Sequence, residues 1–232
     1  MHKLPVSGTL IAAAALVTAP VAAEESRPIP GVTAAPMTAA DLITLPRLGP
    51  PAVNAAGTLA VYSVTITDPA TLTRSPTHFL IDLAKPGASP VALQLGLRAS
   101  GLTFAPDGQL YFLISEHPEG EGVELRGRVW RVTPAKDGST GMPQLVAGYP
   151  DVDIAGFKLA PNGTAIALWA EVPRDCPTFG CPDAKPKHLL GPGTGRLYDA
   201  KDGFVRHWDR WATPGTPNRI FTFPLEGGVA QG

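Results

Sequence analysis

The chain has 232 residues, enough to bury a substantial core in one large domain or two small ones. Its 19 Lys and Arg stand against 20 Asp and Glu, a formal net charge of −1, which excludes the strongly basic balance of a nucleic-acid or anionic-membrane binder. Glycine (25) and proline (26) are too frequent for a helical protein and ordinary for many short strands joined by turns.

In chain order, His2 and Lys3 precede an apolar run from Gly8 to Val17, and small residues follow at Pro20-Val-Ala-Ala23. This pattern predicts a signal peptide over residues 1–23, cleaved after Ala23, because the run is too short to span a bilayer comfortably. The mature protein is then expected to be periplasmic or secreted, with no membrane association. Residues 24–37 are Pro/Ala-rich and read as an extended arm. Met37-Thr-Ala-Ala-Asp-Leu-Ile-Thr44 predicts a helical turn capped by Thr38, with Asp41 at its third position.

From residue 38 to 232 the sequence reads as one repetitive β domain. Two stretches run apolar into Ala-Pro-Asp/Asn-Gly and out again: Gly101-Leu-Thr-Phe-Ala-Pro-Asp-Gly-Gln-Leu-Tyr-Phe-Leu-Ile114 and Gly156-Phe-Lys-Leu-Ala-Pro-Asn-Gly-Thr-Ala-Ile-Ala-Leu-Trp169. A degenerate copy covers Pro51 to Tyr62. The turn glycines Gly57, Gly108 and Gly163 are 51 and 55 residues apart, a hairpin-based period that points to β-propeller blades. Each unit has a second half: Thr77–Leu83 and Pro90–Leu95, then Gly127–Val132 and Pro143–Ala147. The template is therefore four strands per unit, with Asp/Asn-Gly suited to the hairpins because both residues tolerate positive φ.

The third unit is swollen between Trp169 and Asn218. Cys176 and Cys181 bracket Pro-Thr-Phe-Gly and, in an oxidising compartment, read as a local disulfide. Phe204-Val-Arg-His-Trp-Asp-Arg-Trp211 is either a short helix or an extended segment, since its periodicity fits both. Within it Arg206, His207, Trp208, Asp209 and Trp211 form the densest chemical cluster. If helical, Arg206 and Asp209 are spaced for an ion pair. Packing between blades is the simpler role and contact with substrate the sharper one. Asn218–Leu225 then repeats the third-strand pattern, and the fourth strand is due at the end of the sequence. About three units do not close a ring of four to eight blades. The expected fold is all-β: a partial, open propeller of about three four-stranded blades, with a short helical or irregular insertion in the third, belonging to a longer polypeptide.

The sequence offers no catalytic centre of its own. It has no Gly-x-Ser-x-Gly elbow, no His-Glu-x-x-His, no phosphate-binding glycine loop and no dinucleotide fingerprint, so no catalytic, cofactor-binding or metal-binding residue is assigned. Asp151 and Asp153 lack the further ligands of a calcium loop and read as a solvated turn. Glu116, Glu119, Glu121 and Glu124 read as a solvated hairpin tip.

The Ala-Pro-Asp/Asn-Gly repeats, the Cys176–Cys181 loop and Leu197-Tyr-Asp199 followed by Arg206-His-Trp-Asp-Arg-Trp211 resemble the N-terminal propeller of bacterial exported prolyl oligopeptidase-family serine peptidases. The resemblance covers roughly Thr38 to Gly228. It implies a propeller set over an α/β-hydrolase domain, which holds the Ser, Asp and His of the triad, and it implies peptide substrates. No triad residue has a counterpart in this sequence. Glu24-Glu25 does not match the family's motif for a free amino end. A non-catalytic, TolB-like periplasmic binding module is the alternative. A lactonase-like propeller would need converging carboxylates around a metal.

Overall fold

The computed structural model describes residues 36–95, 99–116, 126–149, 152–176, 178–179, 206–207, 210–211 and 216–230. The chain from Thr38 to Gly232 forms one compact unit. It opens with α1 (Ala39–Thr44), closed by a complete capping box. The Thr38 hydroxyl accepts the Asp41 N–H at 3.2 Å, and the Asp41 carboxylate accepts the Thr38 N–H at 2.8 Å. Pro46 ends the helix by forcing Leu45 into an extended conformation.

Among the described residues, three larger antiparallel sheets and one two-stranded ladder follow. The first holds β1 (Arg47–Leu48), β2 (Ala52–Val53), β3 (Leu59–Thr67), β4 (Arg74–Asp82) and β5 (Val91–Leu93). Both β1 and β2 pair with the same edge of β3, as two halves of one first strand interrupted at Pro50-Pro51, where two successive residues have no N–H to give to a ladder. β4 begins earlier than the sequence suggested and runs through Pro76, a stretch that β5 does not reach. The second sheet is β6 (Ala99–Phe104), β7 (Leu110–Glu116), β8 (Arg126–Val132) and β9 (Gln144–Ala147), paired in that order. The third begins with β10 (Gly156–Leu159) and β11 (Ala165–Glu171). Next come β12 (Arg206–His207) and β13 (Arg210–Trp211), which pair only with each other among the described residues. β14 (Asn218–Glu226) and β15 (Val229–Ala230) then complete the order β10-β11-β14-β15. Among the described residues, one short helix and three meandering sheets make this an all-β, partial β-propeller.

The repeat turns share one device. The Gly57, Gly108 and Gly163 N–H groups donate to the carbonyls of Asn54, Ala105 and Ala160 at 2.9, 3.0 and 2.9 Å, and all three glycines have positive φ. Asp107 and Asn162 each accept a backbone N–H two residues on, from Gln109 and Thr164. The degenerate copy has no acid or amide at that position. Asn54 replaces it from the start of the turn, its side-chain oxygen accepting the Thr58 and Leu59 N–H groups at 2.8 and 3.0 Å.

The loops nevertheless differ in length. Ala105 N–H donates to Gln109, whereas Asn54 and Ala160 donate to Leu59 and Ala165, one residue farther on. Counted from the glycine, the second unit is therefore displaced by one position, and a one-residue displacement exchanges the two faces of a strand. Val61 and Phe112 both lie four residues after their turn glycine. Yet Val61 belongs to the first sheet's face toward the second sheet, and Phe112 to the second sheet's face toward the first. These two faces join in one core cluster: Val61, Leu80 and Leu93 with Leu110, Phe112 and Val132. The other face of the second sheet, with Tyr111, Leu113 and Val129, joins Phe157, Ile166 and Leu168 of the third. β7 is apolar on both faces because it is covered on both, and this uniformity conceals the displacement in the sequence.

Candidate functional site

In every sheet the turns after the first and third strands lie at one end, and the connection between the second and third strands leaves from the other. The first sheet closes that second end with the Asp68–Thr73 turn, where Asp68 accepts the Ala70 and Thr71 N–H groups and is thereby held below the usual carboxylate range. The second and third sheets carry their long connections there. The acidic stretch and the Cys and Arg206–Trp211 segments of the sequence all belong to these connections. Glu119, Glu121, Glu124, Asp151, Cys181, Trp208 and Asp209 lie outside the described residues.

At this end the seam between the first two sheets turns polar. Glu116 and Arg126 are ladder partners, and Arg128 Nη1 lies 3.4 Å from Glu116 Oε1. Glu116 Oε1, Arg128 Nε and Trp130 Nε1 are buried without a hydrogen-bond partner. His78 enters from the opposing β4, 3% exposed, with Nε2 3.0 Å from the Ala99 carbonyl, which places the donor hydrogen on Nε2. Burial holds this imidazole below its ordinary pKa, and the Ala99 bond opposes that shift only in part. The unfolded chain therefore takes up a proton near pH 6.5 that the folded chain accepts only at lower pH, so stability falls as pH drops below about 6.5. Urea midpoints measured between pH 8 and 5 should decline more steeply for the native chain than for His78→Gln; parallel profiles would show that His78 is not the group responsible.

The corresponding end of the second seam is aromatic. Tyr149 packs edge-on to Phe179 with centroids 4.9 Å apart, and Phe221 and Phe223 complete the group. Cys176 is buried beside them, its carbonyl accepting a hydrogen bond from Arg219, whose guanidinium also lies 5.1 Å from the Phe221 ring centroid. The root of the cysteine loop is thus anchored into the core of the third sheet. Asp153 is engaged too: Oδ1 accepts the Gly127 N–H at 2.6 Å, and the Ile154 N–H donates to the Gly127 carbonyl at 3.3 Å, tying the link between sheets to β8.

Of the two conformations open to the Phe204–Trp211 run, the described pieces, Arg206–His207 and Arg210–Trp211, adopt the extended one. Arg206 pairs with Trp211 and His207 with Arg210 in an antiparallel ladder. Six residues rich in strand-favouring aromatics are too few to sustain a helix nucleus without tertiary support.

The hairpin-turn end holds a feature that sequence reading missed. A cleft of about 440 Å³ opens between the second and third sheets, lined by the Ala105–Asp107 and Asn162-Gly163 turns, Gly227-Gly228, Gln109, Tyr111 and Arg131. Arg131 donates through Nη2 to the Gly227 carbonyl at 2.5 Å, and its Nε is buried without a partner. In sequence the strand Gly127–Val132 reads as half-buried, with apolar and charged residues interspersed. Arg128 and Arg131 are three residues apart, however, and so lie on opposite faces, one in each seam. A strand covered on both sides has no solvated face, which was the available signal.

No protein-family model and no curated protein sequence matches the chain. Solved structures do match. Pyrococcus horikoshii acylaminoacyl peptidase in its orthorhombic crystal form superposes with a TM-score of 0.53 at 13% identity, over 82% of this chain and 25% of that one. An acylaminoacyl peptidase in complex with Z-Gly-Gly-Phe-chloromethyl ketone gives 0.52 at 12% identity with the same coverages. What they share with this chain is the fold. The chain spans about a quarter of the length of the solved structures it matches.

Proposed function

We propose that this chain is the propeller part of an exported serine peptidase of the prolyl oligopeptidase type, and that its role is to restrict access of peptides to a hydrolase domain elsewhere in the same polypeptide. The observation that carries this reading is the ordered run of three meandering sheets, superposable over 82% of the chain on an acylaminoacyl peptidase. The Arg206–Trp211 segment and the anchored cysteine loop support it as features of the sequence resemblance. In this reading the hydrolase domain supplies serine attack, proton transfer by histidine and an oxyanion hole. The propeller supplies none of these. Removal of residues 1–23 on export and a Cys176–Cys181 disulfide belong to the same proposal. Cys176 is buried, and no cysteine among the described residues is free.

The test is labelling by a fluorophosphonate probe. This chain alone should remain unlabelled, and the polypeptide extended through its downstream reading frame should label at one serine. Stoichiometric labelling of the chain alone would sink the proposal. A genuine stop after codon 232 with no adjoining hydrolase would favour a non-catalytic binding module instead. On the same exported protein, thiol titration under native, non-reducing conditions should find no free thiol; two would refute the disulfide.

A further inference from the structure

We propose that the cleft between the second and third sheets, at their hairpin-turn end, binds the C-terminal carboxylate of a peptide through Arg131. The ligand class rests on the peptide-handling reading above; the anion site rests on the geometry alone. Arg131 lines the cleft and forms no ion pair among the described residues. Among the described residues its one hydrogen bond, to the Gly227 carbonyl, is to a neutral acceptor, so no described side chain compensates the guanidinium charge, and further N–H groups remain for an oxyanion. The nearest acid of the lining, Asp107, is engaged elsewhere. Its two oxygens accept from the Gln109 backbone and side-chain N–H groups, each at 3.0 Å.

The walls select among anions. A guanidinium matches the two oxygens of a carboxylate bidentately. A compact dianion such as phosphate would meet the Asp107 charge in the same wall, whereas a peptide terminus brings a single negative charge. Gly227 has nothing within 4 Å of its Cβ position and leaves the rim open there, while the Arg131 guanidinium lies over Gly228, where a side chain would displace it. Pro106 packs against Gly163, fixing the two repeat turns beside each other across the seam. The site therefore exists only where two successive units of the repeat meet, one supplying the cation and the other the rim.

The experiment uses the full chain and one fluorescently labelled tetrapeptide, prepared as free acid and as C-terminal amide, read by anisotropy. The free acid should bind at least tenfold more tightly than the amide. Arg131→Gln should abolish that preference and Arg131→Lys retain part of it, while Arg128→Gln in the other seam leaves it unchanged. Equal affinity for acid and amide on the unsubstituted chain overturns the proposal without recourse to any variant. Displacement of the peptide by inorganic phosphate at the peptide's own concentration also overturns it, leaving a simple anion site. Equal affinities together with fluorophosphonate labelling of the extended polypeptide would remove this assignment and leave the peptidase reading standing.

Discussion

Truncation of Phe112 to alanine is expected to destabilise the chain by about 3–5 kcal/mol, a typical loss for a fully buried aromatic ring. Phe112 is 0% exposed and sits in the cluster that joins the first sheet to the second, with Val61, Leu80 and Leu93 on one side and Leu110 and Val132 on the other. A domain of ordinary stability has about 5–15 kcal/mol in total, so this change alone removes a large share of it. Ile220→Ala is the matched control. Ile220 is 72% exposed on the third sheet's outward face, and its loss should fall within about 0.5 kcal/mol. Urea unfolding followed by tryptophan fluorescence reads the difference directly, since Trp130 packs against the same cluster. A loss below about 1 kcal/mol for Phe112→Ala would mean that the first two sheets do not share a core.

The second large effect is expected at Gly127. A Cβ there would lie well inside contact distance of the Ile154 carbonyl, a backbone atom that cannot turn away. The same glycine donates to Asp153 and accepts from Ile154, and Ile154 is itself buried. An added methyl must push the connecting segment off β8 and leave both backbone groups of Gly127 short of partners. Overpacking and an orphaned buried polar group each cost about 1–3 kcal/mol, so Gly127→Ala should destabilise by about 3 kcal/mol. Gly141→Ala provides the contrast: nothing lies within 4 Å of its Cβ position, and a neutral or slightly stabilising result is expected from the stiffer unfolded chain. Equal midpoints for the two variants would show that the link between the second and third sheets is not closely packed.

Much of this architecture was legible before any coordinates. The turn glycines, the alternation in Gly127–Val132 and the pattern in Asn218–Leu225 locate β8 and β14 closely, and the Thr38 and Asp41 pair locates the helix start. These signals are local: a positive φ, a capping hydroxyl and a period-2 burial pattern each act within a few residues. The candidate site was less legible. Nothing in the sequence singles out Arg131, because its neighbours in the cleft, Asp107, Asn162 and Gly227, come from turns 24 to 96 residues away. The Arg206–Trp211 segment gave the reverse case. Its composition stood out, yet six residues do not decide between helix and hairpin until a ladder forms.

Two positions show where sequence ends and tertiary structure begins. Gly101 and Gly156 stand at the same place in successive repeats, five residues before the proline of the turn. Gly101 has φ +63° and forms a bulge in β6, where the ladder slips between Ser100 and Thr103. Gly156 stays in register beneath the Trp169 indole, which a Cβ would strike. Identical residues in aligned repeats thus serve opposite purposes. By itself the sequence determined that the chain is a series of four-stranded hairpin units, because turn chemistry and alternation are short-range and repeat about every 50 residues. Which face of each strand meets which neighbour was decided only in three dimensions. The three-residue and four-residue turn loops displace the second unit by one position, and packing between sheets, acting across the seams, selects the register that buries Phe112 on one side and Leu113 on the other.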